Sequence, residues 1–232
     1  MNDEIRVTHN LLKREVISST HDGDKCLDVG CGTGGDFKKW AHTKLSKLDM
    51  CDPIKESLDE AKVRINTINT SPKLPGVRID IRPRFYHGCI LSCPKELYDI
   101  ICYNYSLHYI FESREKFYSS IKGIRERLKP GGRLVGIIPD SESIIMDTPM
   151  NVGKNFISRG ENTGKGQFGE KIFVFLDDTP FYKDGARAEP IAYKDLLITE
   201  LAKSGINLIS WKQCQGNSIT RLYPKFIFEK IK

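Results

Sequence analysis

The chain has 232 residues, of which 39% are hydrophobic and 28% charged, and its formal net charge is +6. This composition is typical of a globular protein and excludes a largely disordered chain, and no stretch reaches the ~18 apolar residues of a membrane-spanning helix. The acidic start lacks the apolar core of a signal peptide, so we expect an intracellular protein. The seven cysteines form no paired metal-binding array, which predicts reduced thiols and no metal site. The moderate positive charge suits a polyanion such as RNA if it gathers on one face.

Apolar runs alternate with amphipathic stretches as far as Asp140. This alternation predicts an α/β fold, with a mixed, mostly parallel sheet of seven-strand type and helices on both faces. The elements predicted here, in chain order, are a helix at 8–19, a strand at 25–29, a helix at 37–45, a strand at 47–51, a helix at 54–67, one or two strands within 78–87, a strand at 98–103, a helix at 114–128, a stop at 129–132 and a strand at 133–138.

The pattern weakens after Asp140. Residues 141–167 are rich in Ser, Asn and Gly and are predicted to be irregular. A strand at 173–176, a helix at 193–204 and late strands at 206–210 and 225–228 are predicted to follow. We expect a single domain over 1–232, with an insertion in the sheet fold around 141–192.

A glycine-rich turn, CLDVGCGTGGD at residues 26–36, joins the first predicted strand to a helix. Gly30, Gly32 and Gly34 recur at alternate positions, where glycine lets the backbone turn sharply and approach a flat ligand closely. In open α/β sheets such a ligand lies outside the carboxyl ends of the strands. The turn therefore predicts a nucleotide-like cofactor.

Two cofactors compete for this turn. A dinucleotide would aim its pyrophosphate at the helix N-terminus, but Asp28 precedes the glycines and would repel it. The same acid suits S-adenosylmethionine, which carries a cationic sulfonium and an amino group, and Asp52 is placed to accept both ribose hydroxyls. We favour S-adenosylmethionine, while a dinucleotide and a purely structural turn stay open. With Asp52 and the Lys-Pro-Gly-Gly turn, the pattern resembles the class I methyltransferases.

A histidine and a tyrosine, His108 and Tyr109, come just after an apolar run at 100–102. Their segment, YNYSLHYIFES at 103–113, resembles the histidine–tyrosine segment of the mRNA cap guanine-N7 methyltransferases. LKPGGRLVGIIPDS at 128–141 and HNLLKREVI at 9–17 resemble two further segments of that family in the same order. The resemblance implies methyl transfer from S-adenosylmethionine to N7 of the terminal guanine of capped mRNA.

The resemblance also implies the residues that hold each ligand. It assigns to the cofactor Asn10, Lys13, Asp28, Gly30, Gly32, Asp52, Cys89, Asn104 and Tyr105. It assigns to the capped substrate His108, Tyr109, Pro139, Glu189, Tyr223 and, for a phosphate, Arg64. It implies no catalytic acid or base, because guanine N7 is already nucleophilic and only needs alignment. Residues 141–192 would form a cap-binding region.

The sequence departs from the family at three places. Thr33 stands where many relatives carry lysine, YHGC at 86–89 replaces the usual A-D-C, and Ile172 or Phe173 replaces a family tyrosine. Adenine recognition would then use backbone groups near Cys89 and Ile90. Each assigned side chain also has an ordinary structural alternative, such as a strand-end cap for Asp28 or a solvated loop acid for Glu189.

The resemblance implies the capped 5′ end of RNA as the partner, with neither a membrane nor DNA. Other capping-enzyme domains or a viral subunit fit as further partners, and the short N-terminus suggests a module of a large viral capping enzyme. The compartment would be the cytoplasm, or the nucleus if the enzyme is cellular. The alternatives are a methyltransferase acting on another small molecule or base and a non-catalytic, methyltransferase-like RNA-binding subunit.

Overall fold

A seven-stranded mixed sheet forms the centre of the computed structural model, which describes residues 3–70, 81–140, 143–144, 149–160, 166–177, 179–216 and 219–231. The strand order is β10-β11-β5-β4-β1-β2-β3. β11 runs antiparallel to β5 and β10, and the remaining pairs are parallel, so the predicted α/β fold with a mixed, mostly parallel sheet is confirmed. The strands of this sheet are β1 (Lys25–Val29), β2 (Lys47–Asp52), β3 (Arg84–His87), β4 (Tyr98–Asn104), β5 (Leu128–Ile137), β10 (Ile206–Lys212) and β11 (Lys225–Lys230).

The described residues form five α-helices, which cover the two faces of this sheet. They are α1 (Asp3–Ile17), α2 (Phe37–Trp40), α3 (Lys55–Thr70), α4 (Arg114–Arg127) and α5 (Lys194–Lys203). Apolar residues of α1, α2 and α3 pack in one core cluster, and those of α4 and α5 pack in the other. The central strands are apolar along their length because both faces are covered. None of the helices formed by the described residues is long and apolar enough to cross a membrane.

A second, antiparallel sheet lies between β5 and α5 in the chain. Its order is β6-β7-β8-β9, and its strands are β6 (Met150–Val152), β7 (Asn155–Arg159), β8 (Lys171–Phe175) and β9 (Arg187–Pro190). Ile172 and Val174 of β8 are fully buried, whereas Phe173 between them is 43% exposed, so one face of this sheet points inward. The prediction that 141–167 is irregular was wrong, since β6 and β7 form there. Cap binding by this region stays a prediction.

The other differences from the predicted elements are local. The helix predicted at 37–45 ends at Trp40, and the helix predicted at 8–19 already begins at Asp3. The stop predicted at 129–132 lies inside β5, where Gly131 has a φ of +76° and the register with β4 shifts between Tyr98 and Ile100. The Pro-Gly-Gly turn therefore makes an irregular start to the strand. Residues 78–80 of the third predicted strand lie outside the described part of the chain.

Candidate functional site

Three polar side chains and a proline lie where four central strands end. Asp28 lies near the end of β1, Asp52 ends β2, Asn104 ends β4, and Pro139 follows β5. The carboxyl ends of parallel strands share one edge of a sheet, and this is the edge where open α/β sheets bind ligands. The glycine-rich turn follows β1 at the same edge.

The glycine turn is packed against protein on two sides and open on a third. A Cβ at Gly30, whose φ is +75°, would lie 2.4 Å from the Ser106 Cβ. A Cβ at Gly34 would lie 3.1 Å from the Ala61 Cβ on α3. A Cβ at Gly32 would meet no described atom within 4 Å, although its φ is +53°. The turn therefore presents open space above Gly32, where a ligand can approach the backbone closely.

Asp52 is held against this turn by the backbone. Its Oδ2 accepts from the Gly32 N–H at 2.8 Å, and its Oδ1 accepts from the Ile54 N–H at 2.9 Å. Burial raises the pKa of Asp52, while the two backbone donors act in the opposite direction. Its carboxylate is thus fixed at the end of β2, beside the open face of the turn.

A buried cation–carboxylate cluster lies at the other end of the turn. Asp36 accepts from Lys39 Nζ at 2.8 Å and from Asn104 Nδ2 at 3.3 Å, and its Oδ2 lies 3.1 Å from Lys13 Nζ. Burial alone would raise the pKa of Asp36, but Lys13 and Lys39 outweigh it and the net shift is downward. Asp36 was not predicted as a site residue, although it ends the glycine-rich stretch and directly precedes α2.

Asp28 lies underneath the turn. It is 2% exposed, and its Oδ2 accepts from the indole N–H of Trp40 at 2.9 Å. Burial and the neighbouring Asp36 raise its pKa to about 7. The structure thus brings Asp36, not Asp28, to Lys13, and the predicted contact of Asp28 with the cofactor stays a prediction.

Three aromatic rings lie beside Lys13. Tyr105 has a φ of +57°, and its ring centroid is 4.8 Å from that of His9 and 5.3 Å from that of Tyr223. Lys13 Nζ lies 5.5 Å from the Tyr105 ring centroid. Burial and the Lys13 charge lower the pKa of His9 to about 3, so its imidazole is neutral at pH 7. His9 was not predicted, although it opens the segment that resembles the family helix.

His108 and Glu189 meet in the part of the site that faces the second sheet. Glu189 is 3% exposed, its Oε1 accepts from the Tyr182 hydroxyl at 2.6 Å, and its Oε2 lies 3.2 Å from His108 Nε2 without hydrogen-bond alignment. The Tyr109 ring packs at a tilt against His108, with centroids 4.3 Å apart, and Tyr109 is 37% exposed. In the β8–β9 register Ile172 lies opposite Glu189, so Ile172 rather than Phe173 shares the inner face. Tyr182 was not predicted, because no motif or spacing in the sequence links it to Glu189, seven residues later.

Several polar atoms of the site are buried without a partner. Six buried side-chain nitrogen or oxygen atoms lack a hydrogen bond among the described residues, and one of them, Asn69 Oδ1, lies elsewhere. The other five are His9 Nε2, Asn104 Oδ1, Tyr105 Oη, His108 Nδ1 and His108 Nε2. Buried polar groups are normally paired, because each unpaired one costs about 1–3 kcal/mol. The site therefore fits a polar ligand that would supply the missing partners.

The remaining predicted residues lie nearer the edge of the site or away from it. Asn10 is exposed, and its amide donates to the Arg6 carbonyl one turn earlier in α1, at 3.0 Å. Cys89 is an exposed free thiol after β3, and Pro139 is buried. Arg64 pairs with Glu60 at 3.0 Å on α3 and lines an open cavity with Gly34 and Gly35 of the glycine turn. These positions do not test the ligand-binding roles of the four residues, which stay predictions.

Comparison with known proteins gives one family. The model of the mRNA (guanine-N(7))-methyltransferase domain matches residues 5–182. The mRNA cap guanine-N(7) methyltransferase of Candida glabrata is 30% identical over 148 residues, which cover 60% of this chain and 34% of that protein. The enzyme of the same name from Cryptococcus neoformans is 30% identical over 171 residues, covering 66% of this chain and 23% of that protein. The chain thus spans about a third or less of the length of these relatives.

Solved structures show the class of fold. The CcbJ methyltransferase from Streptomyces caelestis superposes with a TM-score of 0.65 at 12% identity, covering 94% of each chain. The N-methyltransferase NodS from Bradyrhizobium japonicum, in complex with S-adenosyl-L-homocysteine, gives a TM-score of 0.59 at 19% identity, covering 98% of this chain and 87% of that one. At these identities the likeness establishes the fold alone. The fold is that of the class I methyltransferases, as the sequence predicts.

Proposed function

Because the chain belongs to the mRNA (guanine-N(7))-methyltransferase domain family, we propose that it transfers a methyl group from S-adenosylmethionine to N7 of the terminal guanine of capped mRNA. The proposed partner is the capped 5′ end of RNA, and the proposed compartment is intracellular. Other capping-enzyme domains and a viral origin stay predictions. The observation that carries the proposal is the buried Glu189 carboxylate, whose Oε2 lies 3.2 Å from His108 Nε2.

The geometry around the glycine turn supports S-adenosylmethionine as the cofactor. Lys13 would pair with its carboxylate, with Asp36 fixing the lysine from the other side. The unpartnered Asn104 Oδ1 would accept from its ammonium group, and Asp52 would accept from its ribose hydroxyls. When bound, S-adenosylmethionine supplies an electrophilic methyl group. The open space above Gly32 would admit the ligand against the backbone.

The second part of the site supports guanine as the base. Guanine presents N1–H and N2–H donors along one edge, and Glu189 Oε2, which lies 3.2 Å from His108 Nε2, is an acceptor that could receive them. Adenine has no N2 donor and its N1 is an acceptor, so adenine would place no N1 or N2 donor against Glu189 Oε2, at a cost of about 1–3 kcal/mol. The unpartnered His108 nitrogens would bond polar atoms of the base. Glu189 therefore reads guanine by its donor edge.

The residues of the site would work by alignment and electrostatics. Guanine N7 is nucleophilic without losing a proton, so neither His108 nor Glu189 needs to act as a base. Holding guanine N7 in line with the methyl group and sulfur of the cofactor lowers the activation barrier, because the reacting atoms are already aligned. As positive charge passes to the base, the negative Glu189 on its N1/N2 edge stabilises that charge more strongly than in the ground state. Glu189 would thus contribute to recognition and to rate.

A methyl-transfer assay tests the proposal. The chain is incubated with methyl-labelled S-adenosylmethionine and, in separate reactions, GpppA-capped RNA, GpppG-capped RNA, uncapped RNA and free GTP. We expect label on both capped RNAs, slower labelling of free GTP, whose base has the same donor edge, and none on uncapped RNA, with the label recovered as 7-methylguanosine after nuclease digestion. Label at another position of the cap, or on uncapped RNA alone, would contradict the proposal.

Calorimetric titration with S-adenosylhomocysteine separates the enzyme from a non-catalytic RNA-binding subunit. We expect binding of the cofactor product in the absence of RNA, because the glycine turn, Lys13 and Asp52 form that part of the site without it. A chain that binds capped RNA but not S-adenosylhomocysteine would fit the adaptor alternative. A chain that binds S-adenosylhomocysteine but methylates another small molecule would fit the other alternative, a methyltransferase with a different substrate.

A further inference from the structure

A stacked arginine–phenylalanine pair lies beside the guanine part of the site and has no role in the function proposed above. The Arg187 guanidinium carbon is 4.4 Å from the ring centroid of Phe181. The Arg187 side chain is 40% exposed and Phe181 is 39% exposed. We call these two residues the Arg187–Phe181 pair. It presents a planar cation and an aromatic ring to solvent at the same place.

Two separate observations place the pair near Glu189. Arg187 and Glu189 are two residues apart on β9, so their side chains leave the same face of the strand, about 7 Å apart. Their register partners on β8, Val174 and Ile172, are both fully buried, which makes this the inner face. Phe181 packs edge-on against Tyr182 with centroids 5.0 Å apart, and Tyr182 donates to Glu189. The pair therefore borders the pocket that holds the guanine edge.

The charge of Arg187 is only weakly compensated by its neighbours. Its ion pair with Asp184 is long, at 3.9 Å, and the Asp184 side chain is 72% exposed. Exposed pairs of this kind contribute little. Burial and then Glu189 raise the pKa of Tyr109, and Arg187 opposes them, which places the guanidinium charge near the exposed phenol of Tyr109. A positive charge thus lies at the mouth of the pocket, outside the buried carboxylate.

We propose that the Arg187–Phe181 pair is a subsite for the part of capped RNA beyond the guanosine, with the guanidinium binding a phosphate and the ring stacking on a nucleobase. This inference rests on the proposed function, since it needs guanine at Glu189. A guanidinium binds phosphate oxygens through two parallel N–H donors, and its flat face remains free to lie on a ring. Aromatic rings stack on bases without sequence preference. The phosphate belongs either to the 5′–5′ triphosphate bridge or to the RNA backbone.

Equilibrium binding measured by fluorescence anisotropy tests the subsite without relying on turnover. The variants are Arg187→Gln, Arg187→Lys and Phe181→Leu, and the ligands are labelled GpppA and labelled GpppA-capped RNA. Arg125→Gln is the matched control, because Arg125 is an exposed arginine in the last turn of α4, at the opposite edge of the sheet. Affinity for S-adenosylhomocysteine and the midpoint of thermal unfolding check that each variant is folded.

We expect Arg187→Gln to weaken binding of capped RNA by about 10-fold or more, as for the loss of a hydrogen bond between charged groups. The slope of log K against log salt should fall by about 0.7, the value for one phosphate contact on a single strand. Arg187→Lys should keep the salt slope but lose part of the affinity. A loss shared by GpppA places the phosphate in the triphosphate bridge, and a loss confined to capped RNA places it in the RNA backbone.

The subsite is wrong if Arg187→Gln and Phe181→Leu bind both ligands as the wild type and Arg125→Gln do. It is also wrong if both variants lower the unfolding midpoint and the affinity for every ligand, S-adenosylhomocysteine included, because the pair would then only support the fold. If the wild type methylates capped RNA and the Arg187 variants bind both ligands as tightly as the wild type, the proposed function stands and the subsite does not. A wild-type chain that binds neither GpppA nor GpppA-capped RNA would contradict both.

Discussion

At the scale of single residues, the proposed base-recognition residue Glu189 is held in position by its neighbour Tyr182. Tyr182 donates to one oxygen of Glu189 at 2.6 Å, and the other oxygen is left for His108 and the base. Burial and then Glu189 raise the pKa of Tyr182, which keeps the phenol protonated and able to donate. Tyr182 is therefore a positioning residue that acts through Glu189.

Replacing that hydroxyl tests this role. Tyr182→Phe keeps the ring but leaves Glu189 Oε1 buried without its donor, so the carboxylate can rotate away from the base. We expect kcat/KM for GTP to fall by about 10-fold or more, the range of a hydrogen bond to a charged group. The preference for GTP over ITP, whose base lacks the N2 donor, should shrink in parallel. Steady-state kinetics with both nucleotides give the ratio.

Tyr118→Phe is the matched control, because Tyr118 is an exposed tyrosine on α4, where it packs against Phe117 and Arg114. It should change neither the rate nor the GTP-to-ITP ratio. If Tyr182→Phe lowers activity equally with the two nucleotides, its hydroxyl supports the fold rather than the reading of guanine.

Two buried titratable groups give opposite pH dependences of stability. Asp28 has a folded pKa of about 7, raised by burial and by Asp36 from an ordinary 3.8, so it binds more protons in the folded state between those values. Its contribution therefore makes stability fall as pH rises from about 4 to 7. His9, with a folded pKa of about 3, binds fewer protons when folded and makes stability rise with pH between about 3 and 6.5.

Comparing the pH dependence of stability of the wild type with that of an Asp28 variant isolates the contribution of Asp28 to the free energy of unfolding. Asp28→Asn removes the ionisable group and keeps an oxygen that can accept from Trp40, so the wild type should lose stability relative to the variant as pH rises from about 4 to 7. The relative loss should approach about 4 kcal/mol, at 1.36 kcal/mol per unit for a pKa raised from 3.8 to about 7. Urea unfolding of both proteins at several pH values measures it. Parallel profiles would mean that Asp28 ionises normally in the folded protein.

At the scale of elements, the glycine turn joins β1 to α2 and creates the space for the cofactor. Gly32 and Gly23 both have a positive φ, and a Cβ at either would meet no described atom within 4 Å. Gly23 lies in the turn before β1, at the opposite edge of the sheet. Both glycines thus need a positive φ, but only Gly32 faces the candidate site.

This pair makes a matched test of the turn. Gly32→Val and Gly23→Val should each destabilise the protein by about 1–2 kcal/mol, because a side chain is strained at positive φ. Only Gly32→Val should also abolish binding of S-adenosylhomocysteine in calorimetry, since its side chain would fill the open space above the turn. Normal binding by Gly32→Val would remove the turn from the cofactor site.

The elements that the sequence predicts well are those whose signal is local. The strand at 25–29 has the observed bounds, and β2, β4 and α4 differ by one residue, because apolar runs between turn residues fix their ends. β6 and β7 were missed because short strands with one exposed edge carry no clear alternation. Asn155 at the start of β7 is polar yet buried, and its Oδ1 accepts from the Asp177 N–H, 22 residues later in the chain. Such long-range pairing leaves no periodic trace.

The site residues also divide into those that a local sequence signal predicts and those that only the folded chain brings together. Gly32 and Asp52 follow predicted strands, and the structure brings them together at 2.8 Å. Glu189 was predicted through the family resemblance alone, and the structure places it next to His108, 81 positions earlier in the chain. Tyr182 contributes only through a contact that folding creates, so no spacing in the sequence could have found it.

At the scale of the whole molecule, the two sheets divide the site between them. The main sheet supplies the glycine turn, Asp52 and Asn104, whereas Glu189 comes from β9 of the second sheet. Contacts such as the Gly169 N–H donating to the Phe111 carbonyl at 2.9 Å join the second sheet to the segment that carries His108. Cofactor binding and base recognition should therefore respond separately to mutation.

The last prediction tests that separation with one variant in each sheet. Asp52→Ala should weaken binding of S-adenosylhomocysteine by about 1.5–3 kcal/mol, because it removes a charged acceptor for the ribose hydroxyls. Glu189→Gln keeps the size of the side chain but presents an amide donor to the donor edge of guanine and loses the charge that stabilises the methylated base. Turnover should then fall by about 100-fold or more, while the calorimetric affinity for S-adenosylhomocysteine stays that of the wild type. If Glu189→Gln weakens cofactor binding as much as Asp52→Ala does, the second sheet supports the cofactor site and the guanine edge is read elsewhere.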